Sequence, residues 1–98
     1  MPCRAVSAEV PGGTRVEGRL VVVEAEGPGL AIIVSYGGGS SSQLEVWSDG
    51  RGVYVPGSQP QTLAVSFDGR LIVVVECSGA STCTAPAIKV AGLQCPER

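Results

Sequence analysis

Glu24 and Glu26 stand two residues apart in an apolar stretch. In an extended chain that spacing puts both carboxylates on one face. Such a pair can serve as acid and base. A pair at the end of a strand is also what a solvated edge looks like, and that second reading is the expectation here. Asp49 and Asp68 each precede a glycine, and turns account for both. The chain has no His. That removes the commonest general base, the usual partner of a nucleophilic Ser or Cys, and most transition-metal sites. Lys89 is the only Lys and sits in a strand-like run. A Ca²⁺ site would need more clustered oxygens than Asp49 and Asp68 guarantee. The expectation is a protein that is not an enzyme and that takes no cofactor and no metal.

Four cysteines carry the clearest covalent chemistry: Cys3, Cys77, Cys83 and Cys95. The gaps between them are 73, 5 and 11 residues. A structural zinc site wants two close pairs, so disulfides are the better reading. Four cysteines allow three pairings. Cys3–Cys95 with Cys77–Cys83 is preferred, because the termini of small domains often lie close together. The compartment is then oxidising or extracellular, with the cytosol of a hyperthermophile as the alternative. The opening Met1-Pro2-Cys3-Arg4 lacks the apolar stretch of a signal peptide, and Asn, a thermolabile residue, is absent. Both features suit the alternative and a thermostable protein. The single Lys weighs against it.

Binding chemistry centres on the only Trp, Trp47, and on Tyr54. Asp49-Gly50 is a favoured two-residue hairpin turn. It pairs Ser48 with Arg51, Val46 with Val53 and Leu44 with Val55. Four aliphatic side chains then share one face. Trp47, Tyr54, Glu45 and the nearby Gln43 belong to the other, and Trp47 lies across from Gly52. Exposed aromatic clusters mark contact surfaces, so Trp47, Tyr54, Glu45 and Gln43 are the candidate binding residues. The alternative is that this face is the inner one, or is covered by a loop, and the aromatics are structural.

The elements that must hold this surface read as strands throughout. Gly and Pro punctuate the chain about every ten residues, and no window has a helical period. Strands are expected over 4–10, 15–26, 30–36, 44–48, 51–55, 63–67, 70–75 and 84–93. The second changes phase, which calls for a bulge or a crossing between sheets. In the third, Leu30, Ile32, Val34 and Tyr36 share a face. The Gly-Gly-Gly-Ser-Ser-Ser run at 37–42 is expected to be a mobile connection, since no helix or Lys follows to make a phosphate cradle. A second hairpin is expected at Asp68-Gly69, pairing Val65 with Ile72 and Leu63 with Val74. Residues 71–75 are apolar on both faces, so that strand is central or covered. Pro86 suits an edge position for the last strand.

Ninety-eight residues make one domain, 1–98, with a modest core that staples support. The fold expected is an all-β sandwich of about seven or eight antiparallel strands, Ig-like or jelly-roll-like. The Cys77-x5-Cys83 loop and the Val53-Tyr54-Val55-Pro56-Gly57 turn resemble small secreted β-sandwich binding proteins, at the level of fold alone. A formal charge of −2, with six Arg scattered among seven Glu, argues against nucleic acid. No apolar run approaches a membrane span. The function expected is a structural or protein-interaction module, self-association included. The alternatives are a carbohydrate or small-ligand binder and a small secreted enzyme inhibitor that presents 48–52.

Overall fold

The computed structural model describes residues 2–95. They form ten β-strands in antiparallel sheets, with no helix among the described residues. The strands are β1 (Arg4–Val10), β2 (Arg15–Glu17), β3 (Arg19–Glu26), β4 (Gly29–Ser35) and β5 (Ser42–Ser48). They continue with β6 (Arg51–Pro56), β7 (Gln61–Phe67), β8 (Arg70–Cys77), β9 (Thr82–Thr84) and β10 (Ile88–Gln94). One four-stranded sheet has the order β1-β10-β4-β7, and the other β3-β8-β5-β6. The short strands β2 and β9 pair with each other.

Ten strands arise where seven or eight were expected because two stretches divide. The long 15–26 stretch breaks at Gly18, whose φ of 75° suits glycine. Its phase change is real. The register of β3 against β8 shifts between Val21 and Val23, a bulge at Val22. The C-terminal stretch breaks at residues 85–87. Pro86 therefore lies between strands, and β10 is central, between β1 and β4, rather than an edge.

The first hairpin has the expected register, including Leu44 opposite Val55 and Trp47 opposite Gly52. Asp49 and Gly50 both have positive φ, at 52° and 83°. That is the turn whose twist matches the strands. The second hairpin does not form. Val65 pairs with Ala31 and Leu63 with Ile33, because β7 lies against β4. Ile72 and Val74 sit between β3 and β5. Neither Asp68 nor Gly69 has the positive φ a tight hairpin turn needs. Asp68-Gly69 is instead a corner where the chain passes from one sheet to the other.

A single apolar cluster draws on both four-stranded sheets. Val6, Ala31, Ile33, Phe67, Ile88 and Val90 come from one, and Ala25, Leu44, Val46, Val55, Leu71, Val73 and Val75 from the other. On two faces the structure decides what the pattern left open. In β4 the inward residues are Ala31, Ile33 and Ser35, while Leu30, Ile32 and Tyr36 are exposed. Val53 has the inward parity of Val46 and Val55, yet it is 44% exposed. It lies on β6, an edge strand.

Both disulfides have the preferred pairing. Cys3 bonds Cys95 with 4.1 Å between Cα atoms, and Cys77 bonds Cys83 at 5.5 Å. The 37–42 connection is anchored rather than loose. The Gly39 amide donates to Gly57, and the Ser40 and Thr84 backbones exchange two hydrogen bonds. The Ser42 hydroxyl donates to the Thr84 carbonyl at 2.8 Å.

Candidate functional site

Strand alternation builds the outer face of the β3-β8-β5-β6 sheet. With Leu44 and Val46 turned inward, β5 presents Gln43, Glu45 and Trp47 outward. Across the sheet the registers give three rows: Arg19, Glu76, Gln43 and Pro56; Val21, Val74, Glu45 and Tyr54; Glu24, Ile72, Trp47 and Gly52. The four candidate residues Trp47, Tyr54, Glu45 and Gln43 therefore come together, as the turn chemistry at Asp49-Gly50 implied.

Trp47 is half-buried and Tyr54 is 51% exposed. Their rings meet edge to face, with centroids 5.6 Å apart at 75°. That is a favourable aromatic geometry. The Trp47 ring covers the bare backbone of Gly52. A Cβ at residue 52 would stand 3.0 Å from Trp47 Cη2 and Cζ3 and from Tyr54 Cε1. Glycine is needed here for close approach.

Glu45 fixes this arrangement. Only 5% of it is exposed. Its Oε1 accepts from Trp47 Nε1 at 3.1 Å, and its Oε2 accepts from Gln43 Nε2 at 2.9 Å. Burial disfavours its charge. Hydrogen bonds from Gln43, from Glu76 and from Trp47, with the positive charge of Arg19, outweigh that and hold the carboxyl below its usual range. Glu76 moves the other way. Its hydrogen bond to Glu45, repulsion from that carboxylate and some desolvation push it up, against the pull of Arg19. The two acids titrate as a linked pair, with Glu45 the first to ionise. Glu45 is thus a positioning group for Trp47, with its acceptor oxygens already engaged.

Beside the ring lies an open hollow of about 280 Å³, lined by Arg19, Trp47, Gly50, Arg70 and Ile72. Arg70 is ion-paired with Glu24. Glu24 therefore faces a guanidinium on the sheet surface, while Glu26 is exposed at the strand end. Asp49 does more than form its own turn. Its carboxylate accepts from the backbone amides of Asp68, Gly69 and Arg70 at 2.9, 2.7 and 3.0 Å. Those amides of Asp68, Arg70 and Gly69 lower its pKa. Asp49 so ties the tip of the aromatic hairpin to the corner that leads into β8.

Arg19, Glu76, Arg70 and Ile72 were not foreseen as site residues. Their signal is only the alternation of β3 and β8, and it becomes readable once β8 is known to sit between β3 and β5. Among the described residues, no three acidic or Cys side chains converge as a metal cluster. No helix of the described residues is long and apolar enough to cross a membrane. Compared with known proteins, the chain matches no protein-family model, no curated protein and no solved structure.

Proposed function

We propose that residues 1–98 form one β-sandwich domain that acts as a non-enzymatic protein-interaction module, with the Trp47–Tyr54 face as its contact surface. The sandwich reading is supported by the single apolar cluster shared by both four-stranded sheets. The observation that carries the functional reading is an edge-to-face aromatic pair on the solvent side of a sheet, its Trp47 member held by a buried carboxylate. Trp, Tyr and Arg are the residue types that dominate binding hot spots. All three meet here, with Ile72 and the 48%-exposed Val21 beside them. A side chain prearranged in this way loses little freedom when a partner covers it.

Small ligands generally occupy concave sites of roughly 300–1,000 Å³. The hollow beside Trp47 lies at the lower edge of that range, which suits a shallow protein contact. A carbohydrate reading would use Glu45 and Gln43 as hydroxyl partners, but these already bond each other and Trp47. An inhibitor loop over 48–52 has only Asp49-Gly50 at its tip, and Asp49 turns back toward residues 68–70. The oxidising compartment agrees with the two disulfides.

The test is a photo-crosslinking residue at Tyr54, compared with one at Ser7 on the other sheet, in extract from the source organism. One defined protein adduct from position 54 that weakens with Arg19→Ala is the expected result. Equal labelling from both positions, or glycan-array binding that depends on Tyr54, would replace this reading.

A further inference from the structure

The two large sheets expose four edge strands: β1 and β7 of one, β3 and β6 of the other. Proteins usually guard such edges with charge, proline or bulges, because an open edge pairs with other chains. Three are guarded here. β1 carries Arg4 and Glu9. β3 carries Arg19, Glu24 and Glu26 and bulges at Val22. β6 begins at Arg51 and ends at Pro56. β7 is the exception. Its seven residues, Gln-Thr-Leu-Ala-Val-Ser-Phe, hold no charge, no proline and no glycine, and its register against β4 is unbroken.

Its outward hydrogen-bonding groups can be assigned. Tyr36 N–H donates to Ala87, and Cys95 N–H donates to Pro28. Even-numbered β4 residues therefore bond toward β10, and odd-numbered ones toward β7. Alternation leaves the backbone groups of Thr62, Ala64 and Ser66 facing outward. The Ser66 carbonyl accepts the Ser48 hydroxyl and the Thr62 carbonyl accepts the Gln61 side-chain amide, two side-chain bonds that a pairing strand would replace. Among the described residues the Ala64 groups carry no such bond. The core is also thin along this flank. β1 touches β3 and β7 touches β5, so β7 and β6 lie on the same side of the molecule. There Leu63 and Val65 are only half-buried, and Val53 is 44% exposed.

We propose that β7 is a dimer edge, and that its occupant is the β7 strand of a second copy of this chain. The two strands run antiparallel about a two-fold axis at Ala64. Ala64 stands opposite its own counterpart, Thr62 opposite Ser66, Leu63 opposite Val65 and Gln61 opposite Phe67. The strand is complementary to itself in this register. On the outer face small residues meet, with a Thr–Ser pair on either side of the axis. On the inner face each Leu63 meets a Val65, which extends both cores across the open flank. No charge opposes its like. The two sheets become one of eight strands. This inference concerns a different surface from the Trp47 face and does not depend on it.

Sedimentation equilibrium of the whole chain from ~5 to ~500 μM reads this directly. The expected mass rises from 9.9 kDa toward twice that value. Ala64→Pro removes an outward N–H that β4 does not use, and Ala64→Lys sets two like charges at the axis. Each is expected to weaken the dimer by about tenfold or more, since both devices block edge pairing. Trp47→Phe is expected to leave it unchanged. In the wild type, hydrogen exchange at the Ala64 amide should slow as concentration rises, a readout that needs no variant. A wild type monomeric throughout overturns the proposal and leaves β7 open to an unrelated strand. So does a dimer that survives both Ala64 variants, or an Ala64 amide whose exchange ignores concentration.

Discussion

Removing the Glu45 carboxylate should loosen Trp47 and cost stability, in amounts that can be worked from its bonds. Glu45→Ala takes away both acceptor oxygens. The Trp47 indole then loses a hydrogen bond to a charged group, which is worth ~1.5–3 kcal/mol. The Gln43 amide is half-buried and can turn to water, so its loss is small. Relief of the repulsion felt by Glu76 offsets part of the total. A net loss of about 2 kcal/mol is expected. Glu45→Gln keeps one acceptor for Trp47, and Gln43 can rotate its amide to match the new side chain, so about 1 kcal/mol is expected. Urea denaturation at neutral pH measures both. Trp47 is the only Trp and its fluorescence supplies a second readout. In the wild type, its emission should change with pH above the ordinary Glu range, as the raised Glu76 loses its proton. Stability should fall over the same interval, because the folded state holds that proton longer than the unfolded chain does. In Glu45→Gln this transition should move down toward the ordinary range, since Glu45 supplies the two largest causes of the shift. A Glu45→Ala protein within ~0.5 kcal/mol of wild type, which is surface behaviour, would refute the reasoning. Wild-type emission that is flat with pH would refute it equally.

Asp49→Ala should lower the melting temperature by freeing the amides of residues 68–70, and differential scanning calorimetry reads it. The folded carboxyl titrates below its ordinary value. Its contribution is therefore present at neutral pH and lost as pH falls through that lowered value, so the gap between Asp49→Ala and wild type should close in acid. Replacing Cys3 and Cys95 by Ser opens a loop spanning 92 residues and should cost about 4–5 kcal/mol, against about 2 kcal/mol for Cys77 and Cys83, separated by 6. Denaturant titration of the two double variants should rank them in that order.

The sequence by itself determined what local chemistry determines. Gly and Pro punctuation, with period-two patterning, made the chain all-β. Asp49-Gly50 fixed a hairpin whose turn accepts two positive φ values, and that turn set the register that brought Trp47, Tyr54, Glu45 and Gln43 to one face. Cysteine spacing left three pairings open, and the tendency of a small domain's termini to lie close together chose the one observed. Asp68-Gly69 shows where local chemistry stops. The same dipeptide type, between equally apolar strands, became a corner, because the Asp49 carboxylate takes its amides and β4 and β5 compete for the flanking strands. Strand parity shows it again. Leu30, Ile32 and Tyr36 share a face as expected, but which face points inward was not legible. Ala31 and Ile33 are the buried ones, since both faces of β4 are apolar and only tertiary packing chooses between them. Strand neighbours that are distant in sequence placed Arg19, Ile72 and Glu76 beside Trp47, and no periodicity encodes which strand lies next to which. That choice belongs to the tertiary structure, where burial of one apolar cluster shared by both sheets selects one strand order among many with the same local pattern.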